Sequence, residues 1–315
     1  VRNLWWIIPD RGTAQRRAAS EKKLWGHYRA AAARCGLSFE LEDPGSIVVD
    51  AIGGPTPQVF VDGQAVTPAD TIFVTALYTL PHQLGDAFRT MSAFTLLRHL
   101  GFYLPTPPEL SWIATDKLTT ALYLADCPIP PIPTFRFGTG RHESVVGAAS
   151  LAELPYPVIV KPSGWLGGMG VFKAEDERQV REVASLAAAA DCDLVCQPFL
   201  GAGTVDYRLY FVDGRVHTTM RRSPAPGEVA ANIGRGGTAE FVELPPELEK
   251  VVGYLAEKFP IPYFCADFLF DGTDFHLSEV ELDGSYGPNA AGEDTGVAEA
   301  RFTAYARHHD RLFLS

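Results

Sequence analysis

The chain has 315 residues, 46% hydrophobic and 21% charged, with a formal net charge of −11. That length gives room for two or three domains. The acidic balance argues against nonspecific binding to nucleic acid, whose phosphates need a basic face, but allows a local basic pocket for a small anion. Cys35, Cys127, Cys192, Cys196 and Cys265 lack zinc-finger spacing and read as buried thiols in a reducing cytosol. The run Trp5-Trp6-Ile7-Ile8 stops at Pro9-Asp10. It is too short for a signal peptide or a membrane span, so a cytoplasmic protein without a membrane partner is expected.

In chain order, residues 4–8 read as a strand, 10–15 as a polar loop and 20–34 as a helix stopped at Cys35-Gly36. Residues 37–41 are a second strand, which completes a β–α–β unit. An Asp62-Gly63 turn between apolar runs predicts a hairpin over 59–66. A strand over 72–76 and a helix over 86–100 follow. Residues 1–112 thus read as a small α/β domain. A helix is expected over 115–124. The proline-rich stretch 127–133 reads as an extended link, and residues 134–137 as a strand. A strand over 158–160, a helix over 176–190 and a strand over 194–200 make 113–196 an α+β unit. In 197–315 the expectations are a hairpin over 207–221 turned at Asp213-Gly214, a loop over 230–237 and a helix over 246–259. Strands over 265–270 and 275–281 and a closing helix over 291–306 follow.

Chemistry gathers at two places. Lys161 closes the apolar run Val158-Ile159-Val160, Pro162 and Gly164 break the strand, and Gly167, Gly168 and Gly170 follow before a return strand. Glycines let backbone N–H groups turn toward an anion, and an adjacent lysine suits a polyphosphate; a plain glycine-rich hairpin fits the glycines equally well. The order strand, lysine, glycine loop, strand differs from a P-loop, where a helix follows directly. The second place is Asp267, Glu279 and Glu281, three acids on apolar strands. Glu279 and Glu281 are two residues apart and share a sheet face, as a solvated edge or as ligands of a hard cation such as Mg²⁺. Arg208, Arg221, Arg222 and Arg235 offer planar forks for carboxylate or phosphate.

Seven segments in order resemble the ATP-grasp ligases, above all the branch of the ribosomal-protein glutamate ligase and related amino-acid ligases. They span 115–135, 157–170, 195–200, 205–222, 231–237, 265–270 and 278–287. The resemblance implies an ATP-grasp fold, α/β and α+β, in which two α+β units (113–196 and 197–315) grip ATP. By position, Lys117 and Lys161 would hold phosphates under the loop of Gly167, Gly168 and Gly170. Gln197, Pro198 and Phe199 would form the hinge under adenine, with Asp206 near the ribose. Asp267, Glu279 and Glu281 would hold Mg²⁺, with Mn²⁺ as the alternative. Arg222, Asn232 and Arg235 would face a reacting acyl phosphate. Pro198 stands where the branch usually has an acid, and Glu281 where asparagine is usual. The implied reaction joins a small-molecule carboxylate to an amine at the expense of ATP. A grasp-fold small-molecule kinase and a non-catalytic nucleotide-binding module are the alternatives, and a homo-oligomer is compatible with either.

Overall fold

The computed structural model describes residues 2–9, 14–54, 56–75, 84–137, 151–165, 167–189, 192–225, 237–286 and 294–313, without the side chains at 16, 17 and 84–86. β1 (Arg2–Ile7) leads into α1 (Ala14–Ser20), a π-helical turn at Glu21–Trp25, and α2 (Gly26–Arg34). The helix therefore begins at Ala14, before the expected start. Its first turns hold Ala, Gln and Arg, good helix formers without an apolar stripe, so periodicity alone does not reveal them. β2 (Leu37–Glu42) follows, then an antiparallel ribbon of β3 (Ile47–Asp50), β4 (Gln58–Val61) and β5 (Gln64–Val66). The β4–β5 turn has positive φ at Asp62 (46°) and Gly63 (76°), as an Asp-Gly hairpin requires. β6 (Thr71–Thr75) returns parallel to β1, giving the order β2-β1-β6, and α3 (Leu84–His99) follows.

The helix expected over 115–124 is two helices, α4 (Pro108–Thr115) and α5 (Lys117–Tyr123). Asp116 separates them. Its backbone is extended (ψ 119°) and its side chain accepts from the Thr119 N–H, so it caps α5 afresh. The proline-rich link is extended as expected and docks on a later strand: Ile132 N–H donates to the Leu277 carbonyl and Leu277 N–H to that of Pro130, both at 3.0 Å.

Two further sheets follow. β7 (Phe135–Phe137), β8 (Val158–Pro162), β9 (Phe172–Ala174) and, after α6 (Glu177–Ala188), β10 (Leu194–Pro198) pair in the order β7-β10-β8-β9. β8 runs through Pro162, which pairs with Leu194, so that proline ends the strand from within it. β11 (Val205–Val212), β12 (Arg215–Ser223), β13 (Thr238–Val242), then α7 (Pro246–Lys258), β14 (Tyr263–Phe270) and β15 (Phe275–Glu281) form the largest sheet, in the order β13-β12-β11-β14-β15. β13, a half-exposed edge strand, was not expected from the sequence. The closing helix α8 spans Val297–Phe313, shifted toward the C-terminus from the expected 291–306; residues 291–293 lie outside the described residues. Among the described residues no helix is long and apolar enough to cross a membrane.

Strand alternation gives the large sheet two different faces. Leu209, Phe211, Ala266, Phe268 and Val280 point toward α7 and bury Leu248, Val251 and Leu255. Tyr210, Met220 and Cys265 point the other way, into a core shared with Leu4, Trp6, Tyr28, Phe302 and Tyr305. The first sheet, α2 and α8 are thereby joined to the large sheet through one aromatic core. Within it Arg301, fully buried, sits 4.0 Å from the Tyr263 ring centre and 4.6 Å from that of Trp6, and its Nε donates to Tyr305 Oη at 2.7 Å. Stacking of this kind suits the weakly hydrated guanidinium.

The apolar burial yields a direct contrast. Leu255 is 0% exposed, whereas Leu186 on α6 is 78% exposed. Leu255→Ala should lower unfolding free energy by about 2–5 kcal/mol. Leu186→Ala should change it by no more than about 0.5 kcal/mol. Urea titration of both variants measures the difference, and equal midpoints would contradict the assigned packing.

Candidate active site

The register of β11 with its neighbours builds a layer of charge on one sheet face. Asp206 and Arg208 are two residues apart on β11 and so share that face. Asp206 pairs with Arg222 across β12, and Arg208 pairs with Asp267 across β14. On the far side of β14, Asp267 pairs with Glu279 and Cys265 with Glu281. Three facing carboxylates, Asp267, Glu279 and Glu281, therefore come within 4.8 Å of one another. Just beyond β15, a Cβ on Gly284 would stand 2.6 Å from the Cys265 sulfur, so the chain leaving Glu281 passes too close for any larger residue.

The arginines set the electrostatics. Arg208 holds Asp267 with two bonds, Nε to Oδ1 at 2.7 Å and Nη2 to Oδ2 at 2.6 Å, and reaches Glu281 at 2.8 Å. Arg222 Nη2 bonds both Asp206 at 2.5 Å and Asp267 at 2.7 Å. Burial alone would raise the Asp267 carboxyl, but Arg208 and Arg222 outweigh it and hold the group down at about 2. Burial lifts Asp206 to about 7 against the pull of Arg222, and it raises Glu281 against Arg208. A carboxylate offers about four lone-pair sites. Asp267 uses two on Oδ2 and one on Oδ1, which leaves one for a cation. With Glu279 and Glu281 it forms an all-oxygen donor set that fits a hard divalent ion.

The smaller sheet supplies Lys161 from the opposite wall, and α5 supplies Lys117 beside it. On β8, Val158 and Val160 point into the core with Val180 of α6, so Ile159 and Lys161 point to the cleft. Lys161 is crowded by protein, and burial together with the neighbouring Lys117 lowers its ammonium to about 8. Lys117, the first residue of α5, lies 3.8 Å from Glu279 and donates to the Trp165 carbonyl at 2.8 Å. The glycine loop is thus tied to a lysine at its base. Ser163 Oγ adds a bond to Asp116, the cap of α5. Gly167, Gly168 and Gly170 all have φ near +70°, and a Cβ on Gly170 would meet the Pro162 ring at 2.9 Å. A cleft opens between the two sheets. Ile159, Val171 and Leu269 give it apolar walls.

The structure brings Lys117, Lys161, Gly167, Gly168, Gln197, Pro198, Phe199, Asp206, Arg222 and Glu279 to the lining of this one cleft. Gly170 shapes the loop, and Asp267 and Glu281 lie behind the lining. Asn232 and Arg235 lie outside the described residues. Several residues differ in detail from expectation. Arg222 is engaged by Asp206 and Asp267, and Asp206 is engaged by Arg222. Phe199 N–H already donates to the Pro157 carbonyl at 3.1 Å, and the Gln197 side chain donates to Thr134. Arg208, which the sequence offered only as one basic residue among several, is the closest partner of the acid cluster. The available signal was alternation: Arg208 follows Asp206 by two residues on an apolar strand.

Comparisons with known proteins bear on the family and the fold. The pattern of the RimK-like ATP-grasp domain matches residues 114–301. The uncharacterized protein MG011 homolog of Mycoplasma pneumoniae is 22% identical over 183 residues, 58% of this chain and 59% of that protein. A probable alpha-L-glutamate ligase of Xanthomonas campestris pv. campestris is 30% identical over 156 residues, 49% of this chain and 53% of that protein. The chain thus spans little more than half the length of these curated relatives. Among solved structures, D-cycloserine synthetase DcsG superposes with a TM-score of 0.67 at 17% identity, covering 98% of this chain and 99% of that one. D-alanine–D-alanine ligase from Bacillus anthracis, complexed with ATP, gives 0.66 at 14% identity, with 99% of each chain covered. These likenesses show the fold, and the matched pattern shows that the chain belongs to the RimK-like ATP-grasp family.

Proposed function

We propose that the protein is an ATP-dependent carboxylate–amine ligase that forms an amide through an acyl phosphate. The observation that carries this reading is the cleft itself: Lys161 of the smaller sheet and Lys117 at the head of α5 line it together with Glu279, behind which lie Asp267 and Glu281. Polyphosphate transfer needs charge neutralisation and in-line placement more than covalent help. The relative from Xanthomonas named as a glutamate ligase supports an amino-acid or peptide substrate. The macrocyclase MdnC from Microcystis aeruginosa, solved bound with precursor peptide MdnA, supports a peptide.

In the proposed reaction a substrate carboxylate oxygen attacks the γ-phosphorus of ATP, and the bond to the β-phosphate oxygen breaks to release ADP. An amine nitrogen then attacks the activated carbonyl, phosphate leaves, and the nitrogen gives up its proton. Lys117 and Lys161 would offset phosphate charge. Ile159, Val171 and Leu269 would sandwich adenine, and the glycine loop would exclude water. Asp267, Glu279 and Glu281 would hold Mg²⁺, or Mn²⁺ in its place, which would screen the phosphates and polarise the transferred group. We take 1–112, 113–196 and 197–315 as the working units and the cytosol as the compartment. An ADP-release screen of amino acids, singly and in pairs, tests the reading. Turnover that needs a pair supports a ligase. Turnover with one substrate and a stable phosphorylated product would make the protein a kinase, and no turnover with nucleotide bound would make it a binding module.

Lys161 gives a pH-dependent prediction. ATP favours the ammonium form, so affinity is full below about 8 and falls as pH rises through that value. Titrating a non-hydrolysable ATP analogue from neutral to alkaline pH should show the fall. Lys161→Ala should lose about 1.5–3 kcal/mol of binding at neutral pH and the pH dependence with it. A flat profile in the unmodified protein would remove Lys161 from the phosphate site.

The acid cluster gives another. Glu281→Asn keeps an oxygen ligand and relieves part of the negative charge, so activity should return at raised Mg²⁺. Glu279→Gln, at the residue nearest Lys117, should not recover at any Mg²⁺ concentration. Turnover against Mg²⁺ for both variants is the measurement; two parent-like curves would reduce the pair to a solvated strand face.

The glycine loop should behave as a lid. Amide hydrogen exchange over 163–169 should slow when ATP analogue and Mg²⁺ are added together, because the Trp165 carbonyl then gains a closed loop around it in addition to Lys117. Identical exchange with and without nucleotide would reject the lid.

A further inference from the structure

The chain leaving the acid cluster is buried without being a strand. β15 ends at Glu281, and Leu282, Asp283, Gly284 and Tyr286 behind it are all buried. Among the described residues this segment belongs to no helix or strand. Backbone N–H and C=O groups buried outside regular structure must find other partners. Two tyrosine hydroxyls meet that need. Tyr263 Oη donates to the Gly284 carbonyl at 2.7 Å, and the Tyr286 N–H donates to Tyr28 Oη at 2.9 Å.

These tyrosines come from distant parts of the chain. Tyr263 opens β14, and Tyr28 lies on α2 in the first domain. Both are fully buried, and Arg301 stands over both rings, 4.0 Å from the centre of Tyr263 and 5.8 Å from that of Tyr28. Cys265 Sγ donates to Tyr263 Oη at 3.4 Å, while the hydroxyl's own hydrogen goes to Gly284. The grip bears on the acid cluster directly. Glu281 Oε1 is taken by Arg208, and Oε2 faces Gly284, where a Cβ would stand 3.0 Å from it. The placing of Gly284 therefore limits how the second oxygen of Glu281 can turn toward Asp267 and Glu279.

We infer that Tyr263 and Tyr28 are positioning residues for the cation site: their hydroxyls fix the segment behind Glu281, and through it the Glu281 carboxylate. The inference rests on the reading of Asp267, Glu279 and Glu281 as metal ligands. It gives the first domain a part in that site through Tyr28. Tyr305 supplies the contrast. Its hydroxyl lies in the same aromatic core but accepts from Arg301 Nε at 2.7 Å, and among the described residues it bonds nothing in the segment.

The test is electron paramagnetic resonance of Mn²⁺ titrated, with a non-hydrolysable ATP analogue present, into Tyr263→Phe, Tyr28→Phe and Tyr305→Phe. Each variant keeps its ring and loses one hydroxyl. Tyr263→Phe and Tyr28→Phe should each weaken Mn²⁺ binding roughly fivefold, the effect of one buried hydrogen bond. Tyr305→Phe should stay within about twofold of the parent, although its urea midpoint should fall as far as theirs, because Arg301 loses an acceptor. Affinity for the ATP analogue without metal should be unchanged in all three. Parent-like Mn²⁺ binding in Tyr263→Phe and Tyr28→Phe would overturn the inference. So would an equal loss in Tyr305→Phe, which would reduce the effect to general stability. If one of the first two variants fails to fold, the other decides. A parent protein that binds no Mn²⁺ even with the nucleotide would contradict the metal reading itself, and the inference with it.

Discussion

One interaction organises the cleft: the Asp267 carboxylate held between the guanidinium groups of Arg208 and Arg222. All three side chains are nearly inaccessible to solvent. A carboxylate buried alone would protonate rather than stay charged, and a lone buried arginine would be more costly still. The pairing keeps Asp267 ionised and fixes its position on β14. Glu279 and Glu281 are then placed by register alone, across β15 from Asp267 and Cys265. The charged layer depends on this bonding, because four carboxylates and their cations could not otherwise occupy one end of an apolar sheet.

The opposite end of the same sheet face shows the same logic with different groups. There Arg301 is surrounded by Trp6, Tyr28, Tyr263 and Tyr305, and ring faces take the role that carboxylates take around Arg208. One face thus runs from a charged end to a dry aromatic end that joins the first sheet to the rest. The reverse face is plain hydrocarbon against α7. Rigidity at the aromatic end supports geometry at the charged end, as a positioned site requires.

Much of this was legible in the chain. Asp-Gly turns, the glycine loop and the i, i+2 pair Glu279 and Glu281 follow from local rules, and each is found where those rules put it. What was not legible depends on long-range pairing or lacks an apolar stripe. Arg208 meets Asp267 across 59 residues, a register that no local pattern encodes. The first turns of α1 are too polar to show a period, and β13 is a short edge strand. Phe199 was placed at the hinge, and the bond from its N–H to the Pro157 carbonyl is one that only the fold reveals.

The charge count within the cleft gives the most direct test. Asp206, Asp267, Glu279 and Glu281 are formally balanced by Lys117, Lys161, Arg208 and Arg222. A divalent ion alone therefore meets little net attraction, with one lone pair left on Asp267, whereas ATP brings both charge and phosphate oxygens. Electron paramagnetic resonance of Mn²⁺ titrated into the protein, with and without a non-hydrolysable ATP analogue, measures this directly. The account predicts weak binding of Mn²⁺ alone and binding at least about tenfold tighter with the nucleotide. Tight Mn²⁺ binding that is indifferent to nucleotide would contradict it.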